Sequence, residues 1–150
     1  MIGRNGIYIE PDVEYIENYK KVGVIFNCAG DGLCSYTTRR ELAYAYAKMH
    51  SGDKHNSQTY NLHGEAISQY QLADYFNSAF GTDLVYNPMT VEECRSERQA
   101  ELGNFLGTII AGIYQGIQQG ESDNVSHYLA AAGREHESWQ SYFARIKADT

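Results

Sequence analysis

Apolar positions recur along the chain with a changing period, and the changes mark the elements. Ile2 to Ile9 is apolar enough for a strand or strand end. Pro11 with the acidic Asp12 and Glu14 then opens a helix, with Tyr15, Ile16 and Tyr19 as its apolar stripe and Lys20 and Lys21 at its C-terminal end. Val22 to Ala29 is rich in β-branched residues, Gly30-Asp31-Gly32 is a tight-turn signal, and Leu33 to Tyr36 returns as a second strand, so a β-hairpin is predicted here. From Thr38 the period becomes helical: Leu42, Ala43, Tyr46, Ala47 and Met49 or His50 share a face, and Gly52 ends it. Gln58 to Leu62 reads as a short strand. Ser68 with Gln71 forms a capping box, and Leu72, Ala73, Phe76, Ala79 and Phe80 make a helical apolar face stopped by Gly81. Asp83 to Tyr86 is another short strand. Thr90 with Glu93 forms a second capping box, beyond which the chain reads as helical with breaks near Gly103, Gly120 to Asn124, and Gly133. The final helix, capped by Ser138, presents Trp139, Tyr142, Phe143 and Ile146 at i, i+3, i+4, i+7 and so belongs to the core.

Short strands early and helices dominating later make an α+β class: a short β-hairpin and small strands packed with a majority of helices. No low-complexity linker or repeat divides the chain, so residues 1–150 are expected to form a single domain.

Composition narrows the function classes. With 150 residues, 43% hydrophobic and 21% charged, the chain reads as a folded globule. Its net charge of −7 argues against binding nucleic acid by phosphate neutralisation. Cys28, Cys34 and Cys94 are an odd set without CxxC spacing, which points to reduced thiols in a cytoplasmic protein and to neither a disulfide framework nor structural zinc. Cys28 and Cys34 flank the predicted turn, where proximity to each other is one reading and buried or half-buried small residues are the expected case. Phe105 to Ile117 is the closest approach to a membrane span, but glycines and polar residues interrupt it. Its glycine spacing reads as close packing on a neighbouring helix, and no membrane is expected as a partner.

Local motifs for catalysis are weak. Tyr44 and Lys48 stand one helical turn apart, as in a phenol activated by an ammonium, yet an amphipathic helix explains them better. Gly30-Asp31-Gly32 is too short to cradle a phosphate. The five histidines lack ligand spacing, so no metal site is expected, and Glu92, Glu93, Glu97 and Glu101 alternate with Arg95 and Arg98 as on a solvated helix. Thirteen tyrosines are the conspicuous feature, since an aromatic body with a polar edge suits a ligand pocket or an interface. Tyr8, Tyr15, Tyr36, Tyr86 and Tyr114 are the candidates for a pocket taking a small aromatic ligand.

Arg4-Asn5-Gly6-Ile7-Tyr8-Ile9-Glu10, then Ala29-Gly30-Asp31-Gly32, then Thr37-Thr38-Arg39-Arg40-Glu41-Leu42-Ala43, resembles the NmrA-like atypical short-chain dehydrogenases, closest to the NAD(P)H:quinone oxidoreductase type 2 group. Tyr60-Asn61-Leu62-His63-Gly64 is similar to that family's last sheet strand. Ala132-Gly133-Arg134-Glu135-His136-Glu137-Ser138-Trp139-Gln140-Ser141-Tyr142-Phe143 is similar to its C-terminal helix. The resemblance covers nearly all of the chain, in order.

It implies the C-terminal, substrate-side portion of an NAD(P)-binding Rossmann-type reductase, without the half that carries the glycine-rich loop. By the same resemblance, Asn5 and Gly6 lie at the cofactor edge with Tyr8 beside the substrate. The family's tyrosine–lysine position lies upstream of residue 1, so Tyr44 and Lys48 are not catalytic and no catalytic residue is assigned. No cofactor is expected for this chain alone, and NADP(H) only if a Rossmann half is supplied. The strands at Ile2–Tyr8 and Gln58–Leu62 normally sit inside a parallel sheet, so their bare edges imply a homo-oligomer, or a rearranged fold in which they pair with each other. Three functions follow: a non-catalytic small-molecule-binding or protein-interaction module; a half or fragment of a complete NAD(P)H-dependent quinone oxidoreductase that needs an N-terminal Rossmann partner; or a purely structural dimerisation domain.

Overall fold

The computed structural model describes residues 1–149. Six strands and eight α-helices follow in the order β1 (Ile2–Asn5), β2 (Ile7–Tyr8), α1 (Glu10–Glu14), α2 (Ile16–Val22), β3 (Val24–Asn27), β4 (Tyr36–Thr37), α3 (Arg39–Met49), β5 (Thr59–Leu62), α4 (Gln69–Phe80), β6 (Val85–Pro88), α5 (Val91–Leu102), α6 (Asn104–Gln118), α7 (Tyr128–Ala132) and α8 (Trp139–Asp149). The class is the expected mixture of small strands and a helical majority.

The strands form three separate parallel pairs, β1–β5, β2–β4 and β3–β6. The predicted hairpin is therefore absent: β3 takes β6 as its partner and β4 takes β2. Side-chain chemistry explains the difference. Asn27 Oδ1 accepts from the Ala29 amide at 3.0 Å and from the Tyr86 hydroxyl at 3.0 Å, which turns the chain out of β3 and ties it to β6. The following loop presses on α6, where a Cβ on Gly32 would lie 2.2 Å from the Ile117 carbonyl oxygen. The predicted Ile2–Ile9 strand splits at Gly6 for a similar reason, since a Cβ there would stand 2.4 Å from the Ser35 carbonyl oxygen. The first strand pairs with Thr59–Leu62, one of the alternatives that their bare edges left open, in parallel register from Ile2↔Thr59 to Asn5↔Leu62. Among the described residues no strand pairs with the opposite edge of β1, and Ile2, Arg4 and Asn5 are exposed.

Both capping boxes form, at Ser68/Gln71 and Thr90/Glu93. The helix opened by Pro11 is interrupted at Tyr15, giving α1 and α2. In α3 the buried face is Glu41, Leu42, Ala45 and Met49, rotated from the predicted one, and Ala43 and Ala47 are exposed. The rotation admits Glu41, whose charge is met by Arg134.

The main core joins Ile9, Ile25, Tyr36, Leu72, Phe76, Ile117, Trp139 and Phe143, with Tyr75 and Phe143 stacked 5.2 Å apart between α4 and α8. A second cluster packs α3 and α7 on β5. Cys28, Cys94 and Ala111 form a third, with Cys28 beside Cys94, while Cys34 belongs to the main core; all three cysteines are buried, as expected for small residues at these positions.

Helices α5 and α6 make a tight antiparallel hairpin. A Cβ on Gly107 would be 2.4 Å from the Arg98 carbonyl carbon, so the close packing read from the glycine spacing occurs at this position. The far side of α6 leaves Phe105, Leu106, Ile109 and Ile113 exposed, Phe105 by 82%. Among the described residues, no helix is long and apolar enough to cross a membrane.

Candidate functional site

In open parallel sheets, ligands collect beyond the carboxyl ends of the strands. The ends of β1 and β5 meet such a cleft here, of about 360 Å³. Asn5, Gly6 and Ile7 form one wall, Ser35 and His63 the back, and α6 supplies Gly112, Ile113, Gly116 and Ile117. A Cβ on Gly112 would meet nothing within 4 Å, so this glycine widens the cleft where Gly107 closes a helix contact. Arg4 and Glu121 bring one charge of each sign.

Ser35 and His63 flank Gly6, whose Cβ would also lie 2.7 Å from His63 Cβ. Backbone hydrogen bonds hold both residues in place. Ser35 N donates to Ser122, and Ser126 Oγ donates to the His63 carbonyl at 2.6 Å. His63 Nδ1 lies 2.8 Å from the Gly64 carbonyl, which can only accept, so neutral His63 has a bare Nε2. That Nε2 and Ser35 Oγ are buried without a partner, whereas buried polar atoms are ordinarily satisfied.

A second pocket of about 200 Å³ shares the walls Ile7, Ile113 and Ile117 with this cleft. Residues 110, 113, 114 and 117 of α6 fall on one helical face and line it, with Tyr8 from β2, Tyr36 from β4, and Pro11 and Asp12 from α1. Asp12 is its one acidic group. The carboxylate accepts from Tyr19 at 3.0 Å and from Tyr36 at 3.3 Å, and Tyr114 also lies beside it. Burial pushes the Asp12 carboxyl up, against these hydroxyls and the more distant Arg98, which pull it down. Burial likewise drives the Tyr36 and Tyr114 phenols well above their ordinary range. A wider groove of about 590 Å³ between α4 and α8 includes none of the strand-end residues.

Of the five candidate tyrosines, Tyr8, Tyr36 and Tyr114 come together. Tyr15 lies elsewhere, its hydroxyl donating to Glu101 beside Arg98. Tyr86 is in the core, where it accepts from Gly30 N at 2.9 Å and donates to Asn27, so its hydroxyl is a structural strut. Asn5 and Gly6 line the strand-end cleft, though Asn5 Oδ1 already accepts from Tyr46 at 2.7 Å. Tyr44 and Lys48 make only a surface contact, with Lys48 Nζ 5.6 Å from the ring centroid. No cluster able to hold a metal occurs among the described residues. Sequence reasoning missed Ser35, His63 and Gly112 and gave Asp12 only a helix-starting role. The 110/113/114/117 spacing on α6 was the available signal for a shared wall.

No protein-family model matches this chain, and no curated protein matches it. Solved structures do. A nucleoside-diphosphate-sugar epimerase from Staphylococcus aureus superposes with a TM-score of 0.86 at 22% identity, over 94% of this chain and 50% of that one. Citrobacter sp. triphenylmethane reductase, complexed with NADP(H), gives 0.81 at 27% identity, over 92% and 50%. The NADPH-dependent quinone oxidoreductase of Escherichia coli, complexed with NADPH, gives 0.86 at 23% identity, over 95% and 52%. The chain thus spans about half the length of these structures and shares its fold with that half.

Proposed function

We propose that this chain is the substrate-side portion of an NAD(P)H-dependent reductase, holding a small planar ligand at the carboxyl ends of β1 and β5. The observation that carries this reading is the strand-end cleft, with Asn5, Gly6, Ser35 and His63 around it and two buried polar atoms awaiting a partner. The matched reductases support it, since two of them were crystallised with NADP(H).

The residues present fit one end of such a cofactor. Ser35 Oγ and His63 Nε2 are orphaned beside the strand ends, so Asn5, Gly6, Ser35 and His63 would border its reactive ring. Among the described residues no glycine-rich loop opens a helix to cradle a diphosphate, and the N-terminus of α3 is closed by its own Thr38. The cofactor, when bound, supplies hydride. This chain's part is to position the acceptor: α6 walls the site on one side, and Tyr8 and Tyr114 line the adjoining pocket. The bare edge of β1 is where a further parallel strand of a cofactor domain would add. Left uncovered, that edge pairs with a second copy of this chain.

Duroquinone, whose four methyl groups block thiol addition, is a suitable probe. Amide shifts on titration are expected at Gly6, Ser35, His63, Gly112 and Gly116, with no NADPH consumption by the chain alone. NADPH oxidation by the isolated chain would overturn the assignment as a half, and saturation without shifts at these residues would overturn the site. Sedimentation should show mass rising with concentration, and a concentration-independent monomer would remove the self-pairing.

A further inference from the structure

The pocket beside the strand-end cleft has an unusual lining for a site of its size. Three tyrosines, Tyr8, Tyr36 and Tyr114, surround it together with isoleucines, and a single carboxylate, Asp12, faces it. No lysine or arginine lines it, and among the described residues Asp12 has no salt bridge. The nearby Arg98 is paired with Glu101 at 2.6 Å. Asp12 is thus hydrogen-bonded only by phenol hydroxyls, and the cation that acts on it, Arg98, does so at longer range and is already paired.

We propose that this pocket is a binding site for a small organic cation of the alkylammonium type. Aromatic faces attract a cation through their quadrupole, and a set of aromatic rings enclosing a quaternary ammonium is a recurrent means of recognising it. The carboxylate adds the countercharge that the pocket lacks. A dry cavity of about 150 Å³ holds benzene, so about 200 Å³ accommodates a trimethylammonium head. Tyr8 is 42% exposed and stands at the surface, which gives the cation an entry. The chain's net charge of −7 raises the local concentration of cations over anions. A neutral or anionic ligand would gain nothing from Asp12 and would have to desolvate it.

The proposal concerns the pocket beside the strand-end cleft and goes beyond the reductase reading, on which it does not depend. Choline and its uncharged isostere 3,3-dimethyl-1-butanol separate charge from shape. Titration followed by NMR is expected to show choline shifting Tyr8, Asp12 and Tyr114 signals and binding at least about tenfold tighter than the alcohol. Asp12→Asn keeps an acceptor for the tyrosine hydroxyls while removing the charge, and should bring choline to within about twofold of the alcohol. Tyr8→Leu, at an exposed position, should weaken choline and spare the fold. Equal affinity for the two probes, undiminished choline binding by Asp12→Asn, or choline shifts elsewhere would each overturn the proposal. Choline binding here without duroquinone binding in the cleft would sink the reductase reading and leave this one standing; the converse would do the reverse.

Discussion

Glu41 is the most demanding charge in the molecule, and replacing it with glutamine tests whether the C-terminal third is pinned through it. The residue is 2% exposed. Arg134 meets it with two parallel hydrogen bonds, Nη1 to Oε2 and Nη2 to Oε1, each 2.8 Å. The Glu137 amide adds a weaker contact at 3.3 Å, Tyr128 donates to the Glu41 carbonyl at 2.9 Å, and the Arg134 guanidinium lies 4.1 Å from the Tyr44 ring centroid. Breaking a buried pair by removing one partner costs about 3–5 kcal/mol. Arg134 is 38% exposed, so water takes over part of the lost bond and Glu41→Gln should cost about 2 kcal/mol. For a domain of this size that lowers Tm by about 4–8 °C.

The pH dependence has a definite sign. Burial alone raises the Glu41 carboxyl, but the hydrogen bonds of Arg134 and Tyr128, with the charges of His136 and Arg134, outweigh it and leave Glu41 below its ordinary value. A depressed carboxylate stabilises the fold above the unfolded pKa and loses that contribution as pH falls through the folded one. The difference between wild type and Glu41→Gln should therefore be full above about pH 5 and shrink below about pH 4. Thermal melts by circular dichroism across this range read it directly. A variant melting within a degree or two of wild type at neutral pH, or a gap that widens on acidification, would refute the reasoning.

Glycines of the α5–α6 hairpin should respond with opposite signs. Gly107→Ala drives a methyl into the Arg98–Gln99 backbone and should cost about 2–3 kcal/mol, whereas Gly112→Ala meets open space and should gain about 0.5–1 kcal/mol from helix propensity. Urea midpoints moving in the same direction would contradict the separate roles of the two positions. Cys28, Cys34 and Cys94 are all buried, and burial foremost pushes the Cys28 and Cys34 thiols up to about 12, with Cys94 adding to the rise at Cys28. Iodoacetamide at mildly alkaline pH should leave the native protein unlabelled and modify all three after denaturation; stoichiometric native labelling would count against this packing.

Local chemistry was legible in the sequence where its physics is local. Ser68/Gln71 and Thr90/Glu93 announce their helices because a capping box closes within one turn. Trp139, Tyr142 and Phe143 declare a core face because one helix face is enough to bury them. The hairpin was misread because β3 satisfies its backbone with a strand far along the chain, and a run of β-branched residues does not say which partner it takes. Tyr8, Tyr36 and Tyr114 could be picked out as amphipathic aromatics, but Tyr15 and Tyr86 looked the same, and only the crossing of β2, β4 and α6 separates them. Asp12 was opaque for a different reason: an acidic residue in a first turn is expected to face water beside the helix dipole, and three tyrosines from other elements turn it into a pocket wall.

That all three strand ladders among the described residues are parallel bears on how the chain reaches this state. Both four-residue ladders join segments about sixty positions apart, and the two-residue ladder joins segments about thirty apart. Each closure pays loop entropy before any ladder bond forms, so sheet assembly is the slow event, while the α5–α6 hairpin closes locally and early. During synthesis, β1 therefore emerges with its partner β5 not yet made, and it stays unpaired until Leu62 has left the ribosome. The Phe105–Ile113 face, in contrast, is displayed as soon as α6 forms. Yield on expression should thus depend on what shields this strand edge and this apolar face in the interval, a kinetic demand that the finished fold does not display.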